Sequence, residues 1–185
     1  MHAPPAPRAF FLSALATLCP HPGMRRRCVL CGRASSGKSS LLYALHHGTS
    51  RDFYSDATIG VAYMRYRGMD VWDTAGQEQY RALLGLYFRN AHAALVVFDL
   101  TNRESFDEVA YWTAEVRKHS PGARLLLVGA KADLLRQRVI SEQQCHTKAN
   151  EIRAQYWETS ARTGAGVSEP FRYLLQELPS PPPLE

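Results

Sequence analysis

The sequence predicts an α/β fold in which helices cover both faces of a mostly parallel sheet. Three apolar runs are typical of buried parallel strands, and they lie at residues 27–31, 93–99 and 124–130. Amphipathic segments typical of helices alternate with them, at residues 38–46, 78–90, 104–119, 141–153 and 168–178. A glycine-bounded loop directly after the first apolar run is the third observation. Ligands on such sheets bind at the carboxyl ends of the strands, where this loop falls.

The loop at residues 32–39 reads G-x-x-x-x-G-K-S and lies between a predicted strand and a predicted helix. In this context the pattern indicates a phosphate site, because glycines let successive backbone N–H groups turn towards a phosphate chain. The following helix points its positive dipole end at the same charge. Lys38 is expected to reach the β- and γ-phosphates, and the Ser39 hydroxyl to bind Mg²⁺. The residues expected at the nucleotide are Gly32, Arg33, Ala34, Ser35, Ser36, Gly37, Lys38, Ser39 and Ser40.

Composition indicates a soluble globular chain with one domain. The 185 residues are 45% apolar and 21% charged, and the net charge is +5. Part of that charge is the run Arg25-Arg26-Arg27, and the other basic residues are scattered among acids. No stripe of aromatic and basic residues accompanies them, so we do not expect nucleic-acid binding. Attraction to anionic membrane surfaces stays open.

The four cysteines do not form a disulfide framework. Cys28 and Cys31 fall within the first predicted strand at positions that point to opposite faces. A zinc site needs a second pair, and Cys145-His146 is a poor substitute. We therefore expect buried thiols in a reducing compartment.

Both ends of the chain differ from the middle. Residues 1–23 contain five prolines around an apolar patch at 9–19, which is too short to span a bilayer. The patch resembles a weak signal-peptide core, and an alternative is that translation begins at Met24. We favour a flexible, dispensable extension. Residues 24–178 are expected to form the domain, and the Pro-rich residues 179–185 a disordered tail.

Four further stretches follow the phosphate loop. They are D-A-T-I-G at 56–60, V-W-D-T-A-G-Q-E at 71–78, G-A-K-A-D at 129–133 and E-T-S-A at 158–161. With these motifs, in this order, the sequence resembles the Ras superfamily of small GTPases from about residue 28 to residue 178, and the Rab branch most closely. The resemblance implies a P-loop NTPase G domain with about six strands.

The resemblance implies roles for the residues of two loops that respond to the γ-phosphate. Thr58 would join Ser39 on Mg²⁺, and Asp73 would act near the metal. The Gly76 backbone N–H would contact the γ-phosphate, so that hydrolysis releases both loops. Gln77 would orient the attacking water. The catalytic residues implied are therefore Gln77, Lys38 and Thr58.

The resemblance also implies how the base is held. Asp133 would accept two hydrogen bonds from the guanine edge, and the stem of Lys131 would pack along the base. The backbone of Ser160 and Ala161 would meet the guanine carbonyl. Either Phe53 or Tyr54 would stack on the base.

The function implied is a Rab-like switch in intracellular trafficking that binds GTP and GDP with Mg²⁺ and hydrolyses GTP slowly. A GTPase-activating protein and an exchange factor would act on it, and effectors would contact Tyr63, Trp72 and Tyr87. Ordinary packing is the alternative role for these three aromatic residues. The protein is expected to be a cytoplasmic monomer that partners recruit to endomembranes, since no cysteine follows Cys145 to carry a prenyl anchor.

Departures from the family pattern motivate a second hypothesis. Ala130 stands where the family has asparagine. A lost hydrogen bond costs roughly 0.5–1.5 kcal/mol, or about 1–3 kcal/mol if it leaves a buried partner unsatisfied, so nucleotide binding is expected to weaken by roughly one to two orders of magnitude. Ala34 replaces the usual Gly or Ser, which predicts slow hydrolysis, and Arg33 and Arg51 are poor candidates for a catalytic arginine. Only eleven residues, 61–71, separate Gly60 from Trp72, so a shortened hairpin is expected around Gly68. The alternative function is a pseudo-GTPase that acts as a protein-interaction module.

Overall fold

The computed structural model describes residues 26–50, 61–74 and 84–179. Six strands are present in this part of the chain: β1 Arg26–Cys31, β2 Val61–Tyr66, β3 Met69–Thr74, β4 Ala93–Asp99, β5 Arg124–Ala130 and β6 Gln155–Glu158. They form one sheet in the order β2-β3-β1-β4-β5-β6. Only the β2–β3 pair is antiparallel. The predicted α/β fold with a mostly parallel sheet is confirmed.

The central strands form where apolar runs can be buried on both faces of the sheet. All seven residues of β4 are buried, and so are the last six of β5. β1 lies between β3 and β4, and its Leu30 pairs with Asp73 on one side and Leu95 on the other. The carboxyl ends of these parallel strands therefore meet at one edge of the sheet.

The helices of the described residues are α1 Lys38–His47, α2 Leu84–Phe88, α3 Arg103–Asp107, α4 Val109–His119, α5 Glu142–Glu151 and α6 Glu169–Glu177. The single helix predicted at 104–119 is instead two helices, separated at Glu108, where ψ is −9° rather than the regular helical value. Of the helix predicted at 78–90, the described residues contain only α2. A capping box starts α5, with Ser141 and Gln144 exchanging side-chain-to-backbone hydrogen bonds.

The β2–β3 hairpin turns at Arg67 and Gly68, close to where the sequence predicts the shortening. Both residues have positive φ, 46° and 81°, as a two-residue type I′ turn requires. Each strand still keeps six paired residues. The short connection therefore reduces the turn and leaves the strand pairing intact.

Two apolar clusters cover the two faces of the sheet. One packs β1 and β5 side chains against α1 and α6, and the other packs Trp72 and Phe98 against residues of α4 and α5 such as Trp112 and Cys145. Cys28 belongs to the first cluster and Cys31 to the second. Both are free and fully buried, as predicted, and burial raises the pKa of Cys31 to about 12. In the described parts of the chain, none of the helices has the length and apolar character needed to cross a membrane.

Candidate nucleotide site

The phosphate loop connects β1 to α1 and depends on two glycines. Gly32 has φ 140°, and a Cβ there would come within 2.0 Å of the Val97 carbonyl oxygen. Gly37, at φ 102°, is the N-cap of α1. Ser36 is buried, whereas Ala34 and Ser35 are exposed. The loop thus packs against β4 at Gly32 and continues into α1 at Gly37, and it lies between a strand and a helix as the sequence predicts.

Lys38 turns back into the loop that precedes it. Its Nζ donates to the carbonyl oxygens of Gly32 and Arg33, each at 2.8 Å, and lies 3.5 Å from the Ser36 hydroxyl. The side chain is 5% exposed. Burial lowers the pKa of the ammonium, and the neighbouring Asp73 carboxylate opposes that effect. The arrangement holds a buried cation at the N-terminus of α1. A bound anion there would be stabilised both by this ammonium group and by the positive end of the helix dipole.

Ser39 and Asp73 meet beside this cation, although they are far apart in sequence. The Ser39 hydroxyl donates to Asp73 Oδ2 at 2.5 Å. Asp73 is 1% exposed, and its Oδ1 has no hydrogen-bond partner among the described residues. Burial raises the pKa of Asp73 to about 6, although Ser39 and Lys38 act in the opposite direction.

The Ser39–Asp73 pair fits Mg²⁺, which takes oxygen ligands and binds proteins through one or two carboxylates. A buried carboxylate oxygen without a partner costs free energy that a bound cation would recover. In the described residues, no three His, Cys, Asp or Glu side chains form a metal cluster. Further ligands would therefore come from the nucleotide, water or Thr58, which lies outside the described residues.

The loop after β5 carries the predicted base-binding residues. Asp133 Oδ1 accepts a hydrogen bond from the Ser160 hydroxyl at 2.6 Å. The Ala132 backbone N–H donates to the Thr159 carbonyl at 3.0 Å. The 131–133 and 158–161 stretches, to which the sequence assigns the base, are thereby joined, and one Asp133 carboxylate oxygen is fixed by a neighbouring hydroxyl.

Lys131 has a partner that sequence reasoning missed. Its Nζ lies 2.6 Å from Asp99 Oδ2, and Asp99 Oδ1 accepts from the backbone and hydroxyl of Thr101. Lys131 is also in the left-handed region, at φ 63°. Asp99 pairs with Ala130 across the β4–β5 register, so its position at the strand end was the available signal. The ion pair fastens the start of the base loop to the end of β4.

The two halves of the site come close to each other at Ala130. A Cβ built on Gly37 would lie 3.3 Å from the Ala130 Cβ, so the Ala130 methyl faces the end of the phosphate loop. Ala130 is 5% exposed. A second link joins the Ser50 backbone N–H to the Ala161 carbonyl at 2.7 Å. The phosphate and base motifs therefore lie close together, with a methyl group where the family pattern has an amide.

An ion pair between Arg138 and Glu158 anchors the 158–161 stretch. Arg138 donates to both carboxylate oxygens of Glu158, at 2.9 and 2.6 Å, and Tyr156 Oη donates to the same group at 2.7 Å. Burial alone would raise the pKa of Glu158, but these hydrogen bonds outweigh it and lower the pKa. The sequence motif contained Glu158, but nothing in the motif pointed to Arg138.

Trp72 packs in the core, and the other two aromatic residues proposed for effectors are half-buried. Trp72 is 2% exposed, and its ring contacts Tyr63 edge-on at a centroid distance of 5.2 Å. The Arg27 guanidinium lies over the Trp72 ring at 4.5 Å and donates to the Tyr87 carbonyl. Tyr63 Oη donates to Asp70 at 2.8 Å. A packing role is thus observed for Trp72, while an effector role for Tyr63 and Tyr87 stays a prediction.

Several predicted site residues lie outside the described residues. They are Phe53, Tyr54, Thr58, Gly76 and Gln77. The structure brings together Lys38, Ser39 and Asp73 in one half of the site, and Lys131, Asp133, Ser160 and Ala161 in the other. Ser40 follows Ser39 in the first turn of α1 and is half-buried.

Comparison with protein families agrees with this geometry. The chain matches the family model described as "Ras family" over residues 27–180, which takes in every strand and helix described above except the first residue of β1. The match includes the phosphate loop, the Ser39–Asp73 pair and the base loop. The chain therefore belongs to the Ras family of small GTPases.

Proposed function

We propose that this protein is a Rab-like guanine-nucleotide switch that binds GTP and GDP with Mg²⁺ and hydrolyses GTP slowly. The observation that carries the proposal is that the Ala130 methyl, at the end of β5, faces Gly37 at the end of the phosphate loop. Lys38 follows β1 and Asp133 follows β5, and the carboxyl ends of these parallel strands lie at the same edge of the sheet. A cationic phosphate cradle beside an acceptor for a base is the arrangement that a nucleoside polyphosphate requires.

The described residues would bind the nucleotide and position its phosphates and Mg²⁺. Lys38 would exchange its bonds to the loop carbonyls for the β- and γ-phosphates, and the backbone N–H groups of residues 33–39 would surround the phosphate chain. Ser39 and Asp73 would hold Mg²⁺, which when bound neutralises charge on the phosphate oxygens. Gln77 would orient the attacking water and Thr58 would close over the metal, as the sequence motifs imply. Ala34, in place of the usual Gly or Ser, is the reason to expect slow hydrolysis. Within the part of the chain that the structure describes, the Arg33 side chain of the phosphate loop is paired with Glu104 and Glu108.

Guanine selectivity tests the base half of the site. Asp133→Ala removes the acceptor for two charge-assisted hydrogen bonds, worth about 1.5–3 kcal/mol each, so GDP affinity should fall by roughly a hundredfold or more. Asp107→Ala, on the exposed side of α3, is the matched control and should leave affinity unchanged. Competition of GDP, GTP and ATP against fluorescent GDP measures both effects. ATP that competes as well as GDP would contradict the assignment of Asp133.

Restoring the missing amide tests the effect of Ala130. Because its methyl faces the phosphate loop, Ala130→Asn would place an amide within reach of that loop and should tighten GDP binding about tenfold. Ala130→Gly, which removes the methyl without adding an amide, should not tighten it. Dissociation rates of fluorescent GDP report the change. Weaker binding by a folded Ala130→Asn variant would show that the site has adapted to the small residue.

The Rab-like part of the proposal rests on sequence motifs. We propose that effectors bind through the switch regions, where Tyr63 and Tyr87 are candidate contacts. A GTPase-activating protein and an exchange factor would control the cycle, and partners would recruit a cytoplasmic monomer to endomembranes for trafficking. The second candidate is a pseudo-GTPase that binds partners regardless of nucleotide. The absent amide at position 130 favours this candidate, and failure of the purified protein to bind either guanine nucleotide would establish it.

A further inference from the structure

An arginine in the phosphate loop contacts two acidic residues of the neighbouring helices. Arg33 Nη2 lies 2.7 Å from Glu104 Oε2 in α3, and Arg33 Nη1 donates to Glu108 Oε1 at the junction of α3 and α4. Glu108 Oε2 also accepts from the Trp112 indole N–H at 3.3 Å. We call Arg33, Glu104 and Glu108 the Arg33 clamp. It joins the phosphate loop to the start of α4.

The Arg33 clamp is connected to the phosphate-binding lysine through Arg33 itself. The Arg33 carbonyl oxygen accepts from Lys38 Nζ at 2.8 Å, while the side chain of the same residue contacts Glu108. Burial lowers the pKa of Lys38, and Glu108 is among the charges that oppose this lowering. Its side chain is 20% exposed, compared with 72% for Glu104. Glu108 is therefore the carboxylate that solvent screens less.

A poorly screened carboxylate near a polyphosphate site opposes binding of the anion. The Coulomb energy of two unit charges grows as the effective dielectric constant falls below that of water, and salt screens a half-buried pair less than an exposed one. The Arg33 guanidinium locally neutralises the negative charge of the Glu108 carboxylate. It also fixes the backbone of Arg33, whose carbonyl is one of the two that hold Lys38.

We propose that Arg33 is a positioning residue that neutralises Glu108 and so preserves the affinity of the phosphate site for polyphosphates. This inference rests on the proposed function, because it concerns the same nucleotide site. Arg33 contributes through Glu108 and does not contact the transferred phosphate. The effect grows with the charge of the ligand and is larger for GTP than for GDP.

A double-mutant cycle between Arg33 and Glu108 tests the inference. Arg33→Met keeps the apolar stem and removes the charge, and it should weaken GTP binding about tenfold and GDP binding less. Glu108→Gln alone should change affinity by less than about threefold, because the loss of negative charge offsets the lost ion pair. In the Arg33→Met background, however, Glu108→Gln should recover most of the lost affinity. Glu104→Gln, at the more exposed acid, is the matched control and should recover less.

Salt dependence separates charge neutralisation from a merely structural role. The gap between wild type and Arg33→Met should shrink as ionic strength rises, since screening weakens the repulsion by Glu108. A double variant as weak as Arg33→Met, with a gap that salt does not change, would overturn this inference while leaving the proposed function intact. A folded wild-type protein that binds neither nucleotide would overturn both.

Discussion

Replacing Lys38 with alanine should lower the affinity for GDP and GTP by roughly a hundredfold to ten-thousandfold. The ammonium is the only described cation held inside the phosphate loop, where it donates to Gly32 and Arg33. Two charge-assisted hydrogen bonds to phosphate oxygens are worth about 1.5–3 kcal/mol each, which gives this range. Titration of nucleotide-free protein with fluorescent GDP measures it.

The Lys38 variant needs a control for charge and one for folding. Lys118→Ala removes a lysine whose side chain is 67% exposed and should leave nucleotide affinity unchanged. The Lys38→Ala protein should remain folded, because it loses a buried charge that carries a desolvation cost. Circular dichroism and thermal unfolding check this. Undiminished binding by Lys38→Ala would show that nucleotide does not occupy the phosphate loop.

Asp73→Asn should stabilise the nucleotide-free protein at pH 7 by about 1–3 kcal/mol while weakening Mg²⁺-dependent nucleotide binding. Burial raises the pKa of Asp73 to about 6 from 3.8. A group whose pKa is raised on folding binds protons more tightly in the folded state, so stability falls as pH rises between these values. The difference corresponds to at most about 3 kcal/mol at neutral pH. Asparagine carries no charge and keeps an oxygen for the Ser39 hydroxyl.

Denaturant unfolding between pH 4 and pH 8 measures this effect without nucleotide. Wild-type stability should contain a decrease between about pH 4 and pH 6 that the Asp73→Asn variant lacks, with the difference constant above that window. Asp70→Asn is the matched control. It should destabilise the protein instead, because the Asp70 carboxylate accepts from Tyr63 and pairs with Arg65. Lower stability of Asp73→Asn at pH 7 would contradict the inferred cost of burying this carboxylate.

The pattern of apolar residues and the order of the motifs are sufficient to predict the fold and the central strands. β4 and β5 have the predicted bounds, and β1 differs by one residue, because fully buried strands appear as continuous apolar runs between polar connections. The predicted ends of the helices agree less well with the observed ends. Ser141 and Ser168 were predicted as first helical residues but are caps, and Glu108 interrupts a pattern that is continuous in sequence.

The site was predictable wherever a motif fixes the chemistry. The Ser39–Asp73 and Asp133–Ser160 contacts join residues whose motifs were recognised separately. The supporting ion pairs were not predictable, because a charged residue in a long sequence has many possible partners. Asp99 for Lys131, Arg138 for Glu158 and the two acids for Arg33 emerge only when the topology brings strand ends and helices together.

Analysis of nucleotide on the purified protein tests the central claim most directly. The protein is denatured, the released small molecules are separated, and the stripped protein is titrated with fluorescent GDP and GTP with and without Mg²⁺. We predict bound guanine nucleotide, or Mg²⁺-dependent binding at micromolar affinity or tighter. Absence of binding by either nucleotide, in a protein that remains folded, would contradict the switch and leave the chain as an interaction module with a G-domain fold.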